Sequence, residues 1–287
     1  MQRKDDNVTQ KKCRNEVKMF YNAKNGILKI GNTDMHYISF GYGKRNLIII
    51  PGLGDGLTTV KGKALPFAMM YRLFAKEFKV YIFSRKNELE KGCTTRDMAR
   101  DQKIAMEQLG IQKASFMGVS QGGMIAQYIA IDYPEMVEKL LLVVTVARQN
   151  DILQSVVKDW IKLAKENRYG EVMKDVTIRM YTEEYIQKYH FILPILKLYP
   201  GPKNKKRFLI MAKSCIEYNT YEELEKITAP TLVIGGEKDC TVGSEASKEI
   251  AAKIKNAKLY IYEQYGHGLY DEAKDFQRRV YRFLIKK

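Results

Sequence analysis

Histidine is scarce in this 287-residue chain, with only His36, His190 and His267 present. Any reaction that needs an imidazole base must draw on one of these three. Cysteine is almost as rare. Cys13, Cys93, Cys215 and Cys240 stand far apart and form no CxxC pair. That pattern suggests neither a disulfide framework nor a zinc site, and reduced, structural thiols are expected. No apolar run approaches the ~18 residues of a membrane-spanning helix. The longest candidate, NLIIIPGLG, is short and is broken by Pro51. The opening MQRKDDNVTQKKCRNEVKMF is charged and lacks the apolar core of a secretory signal. A cytoplasmic location without stable membrane insertion is therefore expected. Acidic residues are also in deficit, 33 against 49 Lys and Arg, for a net charge of +16. Such an excess can attract nucleic acid, anionic lipid or an acidic substrate. Here the basic residues are spread along the chain and no nucleic-acid motif accompanies them. A lysine-rich solvated surface is the reading, with no nucleic-acid partner.

What the chain does have is 45% hydrophobic residues, enough for a sizeable core. GILKIGNTDMHYISFG reads as two strands joined by turn residues. NLIIIP is continuously apolar, as a strand buried on both faces of a parallel sheet should be. The glycine-rich PGLGDG follows, then a helical pattern around ALPFAMMYRLFAKEF and the strand KVYIFS. TTRDMARDQKIAMEQLGI predicts a helix capped by Thr94 with Asp97 and terminated by Gly110. KASFMGVS is a strand, QGGMIAQYIAIDYP a helix and VEKLLLVVTV another buried strand. This alternation predicts an α/β fold, a mostly parallel sheet with helices on both faces. It breaks from about Arg148 to Ala229 and resumes with PTLVIGG, GSEASKEIAAKI, AKLYIYE and a final helix. The expected organisation is a basic tail over 1–25, a core over 26–147 and 230–287, and a helical insertion over 148–229.

The stretch GVSQGG puts Ser120 between Gly118 and Gly122, where a buried strand meets a helix. This is the G-x-S-x-G pattern of a nucleophile elbow. A serine in a strained turn needs neighbours without bulk, so that strand and helix can pack closely. The turn lifts the hydroxyl above the carboxyl edge of the sheet, where open α/β sheets bind ligands. A serine hydroxyl is a weak nucleophile without an adjacent base. His267, between two glycines in YGHG after the strand AKLYIYE, can reach over that edge. Asp239, in GGEKDC after PTLVIGG, can orient it, with Glu237 the runner-up acid. His36 lies on an early strand and His190 in the insertion, and neither is fixed opposite Ser120. The backbone N–H of Gln121 and that of Leu53 in PGLGDG are the candidate donors for an oxyanion.

PGLGDG, GVSQGG, GGEKD and YGHG occur in the order and at the intervals found in the α/β-hydrolase superfamily. From about Gly26 to the C-terminus the chain resembles its serine esterase-like branch with a helical cap. The chain departs from that pattern in two places. Pro51 precedes Gly52 where relatives often have His-Gly. SRKNELEKGCTT stands where many carry Asp-x-Arg-Gly-x-Gly-x-Ser. The resemblance implies a hydrolase that cleaves small-molecule carboxylic esters through an acyl-enzyme, with no metal or organic cofactor. Acyl transfer, C–C bond hydrolysis and aminopeptidase chemistry on the same residues remain alternatives, as does a non-catalytic binding protein. Epoxide hydrolases and haloalkane dehalogenases of this fold use aspartate where this chain has Ser120. The insertion is expected to act as the cap, with Phe191, Ile192, Leu193, Ile195, Leu196, Leu198 and Tyr199 contributing to a pocket roof. Medium, uncharged acyl or alcohol groups should then be preferred.

Overall fold

The computed structural model describes residues 21–286. The proposed tail over 1–25 lies mostly outside the described residues, as does Cys13. An eight-stranded sheet has the order β1-β2-β4-β3-β5-β6-β7-β8. β1 (Lys24–Ile30) and β2 (Thr33–Phe40) form an antiparallel hairpin. β2 also runs antiparallel to β4 (Phe78–Lys86). Parallel pairing then connects β4, β3 (Arg45–Ile50), β5 (Ala114–Val119), β6 (Val137–Val143), β7 (Thr231–Gly236) and β8 (Lys258–Tyr262). β1 begins at Lys24, slightly before the boundary expected from sequence.

β5 and β7 are buried at every residue, because helices cover both faces of the sheet. Two apolar cores result. One holds Phe116, Leu140 and Val233 under α2 (Thr95–Gln108) and α3 (Gln121–Asp132). The other holds Met117, Leu141 and Ile234 under α1 (Ala64–Met70) and the C-terminal helix Phe276–Ile285. α2 starts as the sequence predicts. The Thr94 side chain accepts from Asp97 N–H, and the Asp97 carboxylate accepts from Thr94 N–H. That reciprocal cap satisfies two donors that the first turn would otherwise leave unpaired.

Between β6 and β7 the described residues form helices and no strand. These are α4 (Asp151–Lys165), α5 (Tyr169–Met180), α6 (Glu183–Lys188), α7 (Leu193–Leu196) and α8 (Lys205–Ile216). α4 buries Leu153, Val156, Val157, Trp160 and Ala164 on one face, and α8 packs along it. The apolar run expected to roof a pocket sits elsewhere. Phe191, Ile195 and Leu198 are 59%, 62% and 80% exposed. At i, i+4 and i+7 they share the outward face of a short helical turn. Among the described residues, no helix is long and apolar enough to cross a membrane.

Candidate active site

Ser120 stands at the junction of β5 and α3 with φ 53° and ψ −120°. A non-glycine residue at positive φ is strained by roughly 1–3 kcal/mol and persists only when its surroundings hold it. Hydrogen bonds on both sides of the residue do so here. Ser120 N–H donates to Val143 O at 2.9 Å, and Ser120 O accepts from Gly123 N–H and the Thr145 hydroxyl, each at 2.8 Å. The flanking glycines are required by packing. A Cβ on Gly122 would lie 1.9 Å from Ile50 O, and one on Gly118 would lie 2.4 Å from Gly122 O. The start of α3 thus rests directly on the end of β3 and its following loop.

That loop passes beside the serine. A Cβ built on Gly52 would be 3.3 Å from Ser120 Cβ and 3.8 Å from its Oγ. Leu53 opens a 3-10 turn there, Leu53–Gly56. Among the described residues, neither the Leu53 nor the Gln121 backbone N–H donates to another protein group. Both lie at the first position of a helical turn, where no intrahelical acceptor exists. The partial positive charge at the start of α3 adds to the same region.

His267 follows β8, and its Nδ1 hydrogen-bonds Asp239 Oδ2 at 2.8 Å, with both side chains buried. The other carboxylate oxygen, Oδ1, accepts from Thr241 N–H at 2.8 Å and Val242 N–H at 2.9 Å. Asp239 is therefore fixed by three bonds, and it fixes the imidazole in turn. Glu237 is directed elsewhere, half-exposed and 3.4 Å from Lys248 Nζ. His36 sits on β2 near the Asn87 amide, where burial first and Lys61 next pull its pKa down. His190 is exposed and bonds Gln187 O. Ser120 and His267 line one cavity of about 380 Å³. Among the described residues the Ser120 hydroxyl bonds no protein group.

Leu53, Phe67, Tyr71, Val119 and Ile82 from the sheet side give the cavity apolar walls. From the inserted helices come Trp160, Val176, Met180 and Phe208. None of residues 191–199 lines it, so the roof expected from that run is instead made by α4, α5 and α8. Apolarity marked the run, but Phe191, Ile192, Ile195 and Leu198 face outward, and Tyr199 packs against the core outside the cavity lining. Two larger surface hollows, of about 630 and 780 Å³, contain none of these polar groups.

A buried ionic cluster lies behind the loop that follows β3, and nothing in the sequence reading anticipated it. Asp55 is fully buried in that loop and accepts from the Ser84 hydroxyl at 2.6 Å and from Arg85 N–H at 2.9 Å. Arg207 on α8 ion-pairs with the Asp55 carboxylate and also donates to Asp55 O, Lys86 O and Arg85 O. Arg85 lies 4.0 Å from the same carboxylate and donates to Gln121 Oε1 at 3.0 Å. The Gln121 amide then donates to Met211 O and Ser214 Oγ of α8. Burial alone would raise the Asp55 pKa, but the two guanidiniums and the Ser84 and Arg85 hydrogen bonds outweigh it and hold it low. The one sequence signal was a charged residue inside a buried glycine turn. Among the described residues, no cluster of three or more His, Cys, Asp or Glu is arranged to hold a metal ion.

A family profile described as the alpha/beta hydrolase fold matches residues 45–274. The chain belongs to that family. A 2-hydroxy-6-oxo-6-phenylhexa-2,4-dienoate hydrolase of Comamonas testosteroni is 27% identical over 196 residues, spanning 66% of this chain and 68% of that one. Among solved structures, an alpha/beta hydrolase from a Medee basin deep-sea metagenome library aligns with a TM-score of 0.79 at 20% identity. That alignment covers 91% of this chain and 98% of the other. An enol-lactonase of Burkholderia xenovorans LB400 gives 0.78 at 20% identity, covering 91% and 100%. At these identities the two structures speak to the fold alone. The family match and the hydrolase relative make this chain a hydrolase of the α/β-hydrolase fold.

Proposed function

We propose that the protein is a serine hydrolase of small-molecule carboxylic esters, with Ser120 as nucleophile, His267 as base and Asp239 as its orienting acid. The supporting observation is the Asp239–His267 hydrogen bond opening into the cavity that also holds the strained Ser120. In this reading Ser120 Oγ attacks the ester carbonyl carbon while His267 Nε2 takes its proton. Asp239 keeps Nδ1 protonated and stabilises the imidazolium. The carbonyl oxygen becomes an oxyanion held by the backbone N–H groups of Leu53 and Gln121. Such a donor is worth about 10²–10³ in kcat. His267 returns its proton to the leaving alcohol. Water, deprotonated by the same nitrogen, then releases the acid and restores the serine. The helices between β6 and β7 act as the cap in this reading. They shed water from the cavity, which strengthens every polar contact inside it.

The resemblance to the dienoate hydrolase favours C–C bond hydrolysis as the second reading, because the same three side chains could serve it. Rates on a chromogenic ester and on a vinylogous diketone acid separate the two. An acyl-enzyme burst with the ester supports the first. Turnover of the diketone alone, with no burst from any ester, overturns it.

A further inference from the structure

The candidate cavity contains a cation that, among the described residues, is ion-paired with no carboxylate. Lys63 precedes α1 and lines the same space as Ser120 and His267. Among the described residues it is the single Lys or Arg on that wall. Its Nζ donates to the Thr58 hydroxyl at 2.8 Å. Among the described residues, no carboxylate lies within ion-pair distance of it. Two carboxylates border the cavity, and both are engaged. Asp55 is held by Arg207, Ser84 and the Arg85 N–H. Asp271 accepts from the Tyr181 hydroxyl at 2.9 Å.

A partly buried lysine at the edge of an apolar cavity is destabilised unless something negative meets its charge. Burial accordingly pulls the Lys63 pKa down, with only partial relief from Asp55. The side chain is a long, flexible stem ending in a point charge, suited to an anion whose position along a chain varies. The net charge of +16 would also draw anionic ligands toward such a mouth.

We propose that Lys63 forms an anion subsite within the cavity, and that the substrate is a largely apolar ester bearing one carboxylate remote from the scissile bond. This rests on the ester-hydrolase reading above and refines the expectation of an uncharged substrate. Lys63 sets specificity by pairing with that carboxylate, while the apolar walls hold the chain between.

The test uses the chain's single tryptophan, Trp160, which lines the cavity and reports occupancy by fluorescence. In the Ser120→Ala protein, which prevents turnover, monomethyl esters of succinic, adipic and suberic acid are titrated against the matching dimethyl esters. The monoester should bind at least tenfold more tightly in one or more pairs. Lys63→Met in the same background should reduce that ratio to about one, and Lys63→Arg should retain most of it. Circular dichroism checks that the variants fold. Equal or tighter binding of every dimethyl ester overturns the subsite. So does a ratio unchanged by Lys63→Met, or no binding of any of the six. Hydrolysis of all six esters by the unmodified protein is measured separately. Its absence alongside a Lys63-dependent preference sinks the hydrolase reading and leaves the subsite standing. Its presence without the preference does the reverse.

Discussion

Replacing Arg207 with Met should damage both stability and activity, and for the same reason. Arg207 is buried on α8 and its guanidinium reaches Asp55 and three backbone carbonyls of the core. Methionine keeps much of the apolar stem and removes the charge. Asp55 would then retain the Ser84 and Arg85 hydrogen bonds, with Arg85 at 4.0 Å as the cation left within ion-pair distance among the described residues. Breaking a buried pair by removing one partner costs about 3–5 kcal/mol. That is a large share of the ~5–15 kcal/mol that holds a typical domain together. Asp55→Asn should cost more, because it leaves Arg207 and Arg85 buried together. Arg85 already has Nε and Nη1 without hydrogen-bond partners. The pH dependence follows from the direction of the Asp55 shift. A carboxyl held below its unfolded pKa stabilises the fold above that unfolded value, and the contribution is lost as pH falls through the folded pKa. Arg207→Met should therefore lose most stability near neutrality and converge on the parent protein in acid. Leu53 lies two residues from Asp55, and a displacement of about 1 Å at a reacting centre can cost 10²-fold. Ester kcat should fall by about 10–100-fold while the protein is still folded. Urea unfolding from pH 7 down to about pH 2, paired with initial rates near neutrality, measures both. A loss under about 1 kcal/mol at pH 7 with normal kcat would refute the reasoning.

Asp239→Asn should lower kcat by orders of magnitude while Glu237→Gln leaves it near normal, since only Asp239 bonds His267; steady-state kinetics on one ester decides this. Gly122→Ala should prevent the close seating of α3 on β3, because its Cβ would meet Ile50 O; loss of soluble protein, or of activity with a lowered melting temperature, is the expected result. Phe208→Ala should shift acyl-chain preference toward longer chains by opening the cavity wall, whereas Leu198→Ser should not; kcat/KM from acetate to octanoate reads the difference.

The candidate site residues were legible because each carries a local backbone demand. Gly118 and Gly122 are glycines since carbonyl oxygens occupy the space of a Cβ, and that demand appears in sequence as a fixed spacing around Ser120. Gly266 and Gly268 mark His267 in the same way, and the uninterrupted apolar runs mark the central strands. The capping box of α2 is likewise written in four consecutive residues. The Arg207–Asp55 pair is written nowhere locally. Its members are 152 residues apart, and a lone arginine on an amphipathic helix carries no sign that it points inward. Lys63 was hidden similarly, one lysine among many in a basic chain. The run Phe191–Tyr199 misled because apolarity indicates a surface that water avoids, without saying which neighbour covers it. Its helical turn directs Phe191, Ile195 and Leu198 away from the cavity that Trp160 and Phe208 line.

The central claim is that Ser120 is the nucleophile. Its most direct test is the intact mass and peptide map of the protein after exposure to a fluorophosphonate. The account predicts one adduct per chain, on the peptide carrying Ser120, formed at a rate that falls sharply in His267→Ala and is absent in Ser120→Ala. Labelling of Ser120→Ala at the parent rate, or an adduct on another residue with Ser120 unmodified, would contradict it.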